Sequence, residues 1–121
     1  AKAMARLAIL YADSLGQPER GIVFAEKARS VSPRMPEVLD ALGWSYYKAD
    51  RKEKGKEYLQ RSLKMGETMG AYVHLSQVLS GEGDFEKALD NLRIAQELAE
   101  DAYSMNSIKA LQVDIRSTQN K

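Results

Sequence analysis

The stretch that decides the fold reads Leu39-x2-Leu42-Gly43-x2-Tyr46 and continues as Gly55-x3-Leu59-x2-Ser62. Its apolar residues recur at intervals of three and four, which is the spacing of one face of an amphipathic helix. Small residues stand at Gly43 and Gly55, where bulky side chains would keep two helices apart. The stretch therefore predicts two helices that cross closely, joined by a short turn.

The same pattern occurs three times between Lys2 and Ala99, with a period of about 34 residues. The copy before the central one carries Met4, Leu7, Ala8 and Tyr11, then Gly21, Ala25 and Ala28. The copy after it carries Tyr72, Leu75, Ser76 and Leu79, then Ala88, Leu92 and Ala95. In the first copy the turn between the helices is one residue longer than standard, around Leu15 and Gly16.

These copies resemble the tetratricopeptide repeat, a helix–turn–helix unit of this length, and the resemblance covers about four fifths of the chain. It implies an all-α fold, an α-α superhelix (solenoid) of three helical hairpins plus a C-terminal capping helix. We expect a single domain over residues 1–121, with repeats at about 1–35, 36–68 and 69–100 and the capping helix at about 101–118.

The predicted helices span about 2–14, 18–31, 36–49, 52–65, 69–81, 85–99 and 101–118. Pro18 and Pro36 suit a first helical turn, where a missing N–H group costs little. Asp84 is a predicted N-cap and Gly66 a predicted helix stop. In the last helix Ile108, Leu111 and Ile115 form the apolar stripe that we expect to cover the end of the stack.

Within the family, the first helix of each repeat lines a concave groove, and the resemblance assigns the groove positions of this chain. The predicted partner-binding residues are Ile9, Asp13, Glu37, Asp40, Trp44, Tyr47, Lys48, Val73 and Gln77. Trp44 is the only tryptophan, and aromatic anchors dominate binding energy at interfaces. Two roles stay open for it, namely contact with a partner and packing against the neighbouring repeat.

The predicted function is a non-catalytic protein–protein interaction module that binds a peptide or helix of a protein partner in this groove. The alternative is a structural spacer or self-association segment of a longer solenoid, with a homodimer formed through an exposed solenoid end. Some members of the family clamp the C-terminal carboxylate of chaperone tails. The matching positions here are Ala5, Ile9, Ala41, Gly70 and His74, none of which carries the clamp residue, so that function is not implied.

A narrower resemblance rests on the segments Pro36–Trp44 and Tyr72–Leu75, which are similar to sequence segments common in bacterial tetratricopeptide proteins. That group includes proteins of export and exopolysaccharide systems. The resemblance implies that the chain is the C-terminal part of a longer array. We also expect a segment of a longer protein because the sequence begins with Ala inside a helical pattern.

Composition argues against several other classes of function. The net charge is +1 and there is no cysteine, so no broad field attracts nucleic acid and no thiolate metal site exists. The longest apolar runs are too short to span a membrane, and no signal peptide is visible. We expect a soluble segment without a cofactor, whether cytoplasmic or periplasmic.

Catalytic residues are not indicated. His74 is the only histidine and has no nucleophile or second acid near it in the pattern, so we interpret it as a solvated or packed side chain. The charge run Asp50–Lys54 mixes signs and is interpreted as a solvated face, with a docking patch as the alternative. The sequence therefore predicts no enzyme.

Overall fold

The computed structural model describes all 121 residues, which form seven α-helices and no β-strand. The helices are α1 (Lys2–Ala12), α2 (Pro18–Val31), α3 (Pro36–Lys48), α4 (Lys52–Met65), α5 (Met69–Gly81), α6 (Phe85–Leu98) and α7 (Ala102–Gln119). The prediction of an all-α chain with these seven helices is confirmed, and the predicted ends differ from the observed ones by no more than about two residues. No helix combines the length and the hydrophobicity that a membrane crossing requires.

The chain divides into two compact units. Unit 1 spans Ala1–Glu67 and contains α1 to α4, and unit 2 spans Thr68–Lys121 and contains α5 to α7. The expectation of a single domain over residues 1–121 stays a prediction.

Helix ends follow local chemistry. Pro18 and Pro36 are the first residues of α2 and α3, and Gly66 is the C-cap of α4, as the sequence predicted. Asp84 caps α6, since its carboxylate accepts a hydrogen bond from the Lys87 N–H at 3.3 Å. Two further N-caps, on α5 and α7, were not predicted. Their side chains accept bonds in the same way, Thr68 from Ala71 N at 3.2 Å and Asp101 from Ser104 N at 2.7 Å.

The turn inside the first hairpin is longer than the other two. Residues 13–17 join α1 to α2, whereas residues 49–51 and 82–84 join the later pairs. The sequence predicted one extra residue, and the structure has two. Gly16 has φ +59°, a left-handed conformation that glycine adopts without steric cost. The Gln17 N–H closes the turn by donating to the Tyr11 carbonyl at 2.7 Å.

Helix α3 is the centre of unit 1, because its nine residues from Val38 to Tyr46 are all buried. It crosses α4 at Gly43 and Gly55, as the spacing predicted. A Cβ atom added to Gly43 would lie 2.8 Å from the Gly55 carbonyl oxygen and 2.9 Å from the Leu59 nitrogen. Both are backbone atoms that cannot rotate away, so the crossing requires glycine here.

Two serine hydroxyls are fully buried in unit 1. Ser62 Oγ donates to the Pro36 carbonyl at 2.7 Å and so joins α4 to α3. Ser45 Oγ has no hydrogen-bond partner. It lies beside Gly21 of α2, where an added Cβ would approach it to 2.7 Å.

Unit 2 consists of the α5–α6 hairpin and α7, which packs on α6. Ala88, Leu92 and Ala95 of α6 are fully buried. In α7 the buried residues are Ile108 and Ile115, and Gln112 donates to Gln96 of α6 at 3.4 Å. The apolar stripe predicted for the last helix is therefore in the core of this unit, with Leu111 only half-buried.

Candidate functional site

The predicted groove residues of the first two repeats lie on α1, at its C-cap Asp13 and on α3, within unit 1. We call them the α1–α3 face, which consists of Ile9, Asp13, Glu37, Asp40, Trp44, Tyr47 and Lys48. Two contacts join the helices across this face. Trp44 Nε1 donates to Asp13 Oδ1 at 2.8 Å, and Lys2 Nζ lies 3.6 Å from Glu37 Oε2.

Trp44 lies beneath the surface of this face, with only 3% of its area exposed. Its ring stacks on Tyr47 with centroids 5.5 Å apart and planes at 17°, and Lys48 Nζ lies 5.5 Å from its centroid. The indole N–H is satisfied by Asp13, as buried Trp nitrogens usually are. The packing role of Trp44 is thus observed, and its direct contact with a partner stays a prediction.

The accessible part of the face is formed by other side chains. Tyr47 and Ile9 are half-buried, whereas Asp13 and Lys48 are exposed. Asp40 is 5% exposed and therefore lies under the surface, not at its margin. The face thus presents an aromatic ring supported by a second ring, with charges of both signs beside it.

The remaining predicted groove residues, Val73 and Gln77, lie on α5 in unit 2. Together with α7 they border two cavities that share Leu111. We call this pair of cavities the α5–α7 groove. Its apolar part has a volume of about 170 Å³ and is lined by Met69, Gly70, Val73, His74, Tyr103, Ser104, Ser107, Ile108 and Leu111. Its polar part has a volume of about 310 Å³ and is lined by Gln77, Ser80, Gly81, Leu111, Asp114, Ile115 and Thr118.

Sequence reasoning did not assign α7 to the groove. Tyr103, Leu111 and Asp114 line it, whereas the apolar spacing of α7 predicts only a core stripe. The available signal was Leu111, which stands at the margin of that stripe and is half-buried. The assignment requires knowing that α7 stands beside α5, which the periodicity of α7 does not reveal.

His74 is a packed histidine, because it is buried and lines the apolar part of the α5–α7 groove. This agrees with the prediction of a solvated or packed side chain. The structure contains no group of three or more His, Asp or Glu side chains placed to hold a metal ion.

The charge run Asp50–Lys54 is exposed, as predicted for a solvated face. Its cations nevertheless rest on aromatic rings. Lys54 Nζ lies 4.6 Å and the Arg51 guanidinium 5.7 Å from the centroid of Tyr46, and Lys52 Nζ lies 6.0 Å from that of Tyr47. The run is therefore held against the unit by cation–π contacts.

A family model described as the tetratricopeptide repeat matches residues 36–66 and 70–102, which is more than half of the chain. The chain belongs to the tetratricopeptide repeat family. The two matched segments coincide with the second and third predicted repeats. The first predicted repeat, at about 1–35, lies outside the matched residues.

Solved structures show the same fold. The type III secretion translocator chaperone SycD of Yersinia enterocolitica superposes with a TM-score of 0.75 at 14% identity, covering 98% of this chain and 85% of that one. TTC0263, a thermophilic TPR protein of Thermus thermophilus, gives a TM-score of 0.68 at 19% identity, with coverage of 83% and 50%. YrrB, a TPR protein with an unusual peptide-binding site, gives 0.61 at 21% identity, with coverage of 96% and 66%.

At these identities the likeness establishes the fold alone. It confirms the predicted fold class, the all-α superhelix (solenoid) of tetratricopeptide hairpins. The search of curated proteins found no match.

Proposed function

We propose that this chain binds a peptide or helix of a protein partner on the α1–α3 face. The tetratricopeptide fold makes the chain a protein-interaction module, since arrays of this kind present extended binding surfaces. The observation that supports this face as the site is the stacked pair Trp44 and Tyr47. The half-buried Tyr47 ring is held by a buried ring whose N–H is already satisfied.

Such a pair is suited to an apolar side chain of the partner. Because Tyr47 is stacked in place, it loses little conformational freedom when a partner covers it. The Asp13 carboxylate uses Oδ1 for Trp44, which leaves Oδ2 for a Lys or Arg of the partner. The favoured partner segment therefore carries an apolar anchor with a basic residue nearby, the charge setting the register of binding.

In unit 2 the α5–α7 groove offers a second surface for the same kind of partner. Val73 borders its apolar part and Gln77 its polar part, so a side chain of the partner has room at either position. Two structural neighbours support a binding role by analogy, one being a chaperone and the other a protein with a peptide-binding site. A place in a bacterial export or exopolysaccharide system stays a prediction.

The test begins with a displayed library of random 12-residue peptides panned against the wild-type chain. The affinities of the selected peptides are then measured for wild type, Tyr47→Ala and Tyr47→Phe. Truncation of a true hot spot costs about 2 kcal/mol or more, so Tyr47→Ala should weaken binding about 30-fold. Tyr47→Phe keeps the stacked ring and should retain most of the affinity.

Circular dichroism spectra and thermal melts verify that both variants are folded. Peptides that bind folded Tyr47→Ala as tightly as wild type would show that the α1–α3 face is not the site. Affinity that survives Tyr47→Ala but is lost in Val73→Ser would instead assign binding to the α5–α7 groove.

The alternative, a spacer or self-association segment, is favoured by exposed apolar side chains outside the α1–α3 face. Leu10 and Val23 of unit 1 are 46% and 51% exposed, and Tyr103 and Val113 of unit 2 are 83% and 63% exposed. Exposed apolar surface of this kind promotes association. Sedimentation velocity and the peptide selection together distinguish the two functions. A self-associating spacer forms dimers in sedimentation, and the selection against it yields no peptide whose affinity depends on Tyr47.

A further inference from the structure

A cavity of about 510 Å³ lies between α2 and α4 in unit 1, and the function proposed above does not use it. We call it the α2–α4 cavity, and its lining residues are Glu26, Arg29, Ser30, Pro33, Leu39, Arg61 and Met65. None of these residues belongs to the α1–α3 face. The α2–α4 cavity and the α1–α3 face are thus two separate surfaces of one unit.

Two of the residues that line the cavity, Arg29 and Arg61, are held by a pair of stacked tyrosines. Tyr46 and Tyr58 stack with centroids 5.8 Å apart and planes at 9°. The guanidinium carbons of Arg29 and Arg61 lie 5.7 and 5.3 Å from the Tyr58 centroid. Arg29 Nη1 also donates to the Tyr58 hydroxyl at 3.1 Å. Both arginines are therefore oriented before any ligand arrives, which lowers the entropic cost of binding.

The two arginines retain free donors. A guanidinium carries five N–H groups in a planar fork that matches a carboxylate. Arg29 uses Nη1 for Tyr58 and pairs Nη2 with Glu26 at 3.2 Å, and Arg61 pairs with Glu57 at 2.8 Å. These neighbours leave further N–H groups on each side chain for an incoming anion.

The rest of the cavity is apolar. Leu39 is buried at its base, and Pro33 and Met65 form its exposed edge. Met65 is 45% exposed, and its flexible thioether adapts to the shape of a partner side chain. An apolar side chain of a ligand that enters here displaces water from these three residues. A carboxylate next to it in the same ligand can then reach the two arginines.

The net charge of unit 1 as a whole favours an acidic ligand. Unit 1 contains 13 basic and 9 acidic residues, a balance of +4, whereas unit 2 contains 5 basic and 8 acidic residues, a balance of −3. Arg51 and Lys54 rest on Tyr46, which stacks on the tyrosine that holds Arg29 and Arg61. Glu26 and Glu57 are the only carboxylates paired with the two arginines.

We propose that the α2–α4 cavity binds an acidic segment of a partner protein, in which Asp or Glu residues flank an apolar side chain. Arg29 and Arg61 hold the carboxylates, and Leu39, Pro33 and Met65 receive the apolar side chain. The two faces of unit 1 thereby select segments of opposite charge, since the α1–α3 face favours a basic residue beside its anchor.

The probe is a fluorescein-labelled peptide with one Leu between two pairs of Glu, the remainder being Gly and Ser. Its binding to the full chain is followed by anisotropy and by the Nε–Hε signals of the arginines in nitrogen–proton correlation spectra at 150 mM salt. We expect saturable binding with shifts at Arg29 and Arg61, and weakening of about tenfold in Arg61→Gln, equivalent to about 1.4 kcal/mol.

Arg93→Gln is the matched control, because Arg93 of α6, like Arg61, pairs with an acidic residue about one helical turn before it, Asp90 at 3.2 Å, and does not line the cavity. Tyr47→Ala should also leave the affinity unchanged, which separates this proposal from the proposed function. Two control peptides, with Gln for Glu or Ser for Leu, should both bind more weakly than the probe.

If Arg61→Gln and Arg93→Gln lowered the affinity for the probe equally, the binding would be general charge attraction and the proposal would be overturned. Failure of the probe to saturate the chain at millimolar concentration would overturn it as well. Concentration-dependent dimers at 150 mM salt that Arg61→Gln abolishes would assign the cavity to the acidic unit of a second copy, and not to a partner.

Discussion

Two serines show how much a single hydroxyl group matters in the core of unit 1. Ser45 and Ser62 are equally buried, but only Ser62 has a hydrogen-bond partner. A buried polar group without a partner loses its hydration and gains nothing in exchange. Ser45 is therefore a source of instability at the contact between α2 and α3.

We predict opposite effects for the two alanine substitutions. Ser62→Ala removes the bond to the Pro36 carbonyl and should lower the free energy of unfolding by about 1 kcal/mol or more, because the carbonyl is left unpaired. Ser45→Ala removes only an unsatisfied hydroxyl, so stability should stay equal or rise by about 1 kcal/mol. Urea denaturation measures both. A loss in Ser45→Ala as large as that in Ser62→Ala would contradict this assignment.

At the scale of elements, α7 shows how one helix serves two purposes. Its Ile108 and Ile115 pack in the core of unit 2, while Leu111 and Tyr103 line the α5–α7 groove. Val113 points away from the core and is exposed. The helix is held by its apolar stripe and by the cap that Asp101 provides.

We predict that Ile108→Ala lowers the free energy of unfolding by about 2–4 kcal/mol, since truncation of a buried Ile leaves a cavity. Val113→Ala is the matched control and should change stability by less than about 0.5 kcal/mol, as is usual for surface positions. Hydrogen exchange of the α6 and α7 amides measures how far each substitution lowers the stability of these two helices. Equal stability of both variants would mean that α7 is a loosely attached tail.

At the scale of the whole molecule, the net charge of +1 is the sum of opposite net charges on the two halves of the chain. Residues 1–67 carry +4 and residues 68–121 carry −3, from 13 basic and 9 acidic residues against 5 and 8. A small net charge gives weak mutual repulsion between molecules, and separated charges of opposite sign attract at low ionic strength.

We predict that copies of the chain attract each other near pH 8, close to the isoelectric point of about 8.2, and that salt weakens the attraction. Static light scattering at 10 and 300 mM salt measures this as a second virial coefficient that rises with salt. The double variant Lys64→Glu/Glu86→Lys keeps the net charge but changes the charge of residues 1–67 to +2 and that of residues 68–121 to −1. Its second virial coefficient should therefore depend less on salt than that of the wild type. An unchanged dependence would refute the role of charge division.

Most of the fold follows from the sequence because it rests on local signals. The spacing of Leu39, Leu42 and Tyr46 reflects helical periodicity, and Gly43 opposite Gly55 reflects the close crossing of two backbones. Pro18, Pro36 and Asp84 mark helix ends through the chemistry of a few neighbouring residues. Such signals depend on residues close together in the chain, so they can be read without the structure.

The surfaces depend on which helices become neighbours, and only the tertiary structure decides that. The sequence alone determined that Trp44 and Tyr47 share a helix face, but the bond from Trp44 to Asp13 spans 31 positions in the chain. Likewise, only packing brings Arg29 and Arg61 onto one tyrosine and Leu111 beside Val73. Helical periodicity specifies which side of a helix is apolar, whereas burial and charge pairing arise from the side chains that another helix places against it.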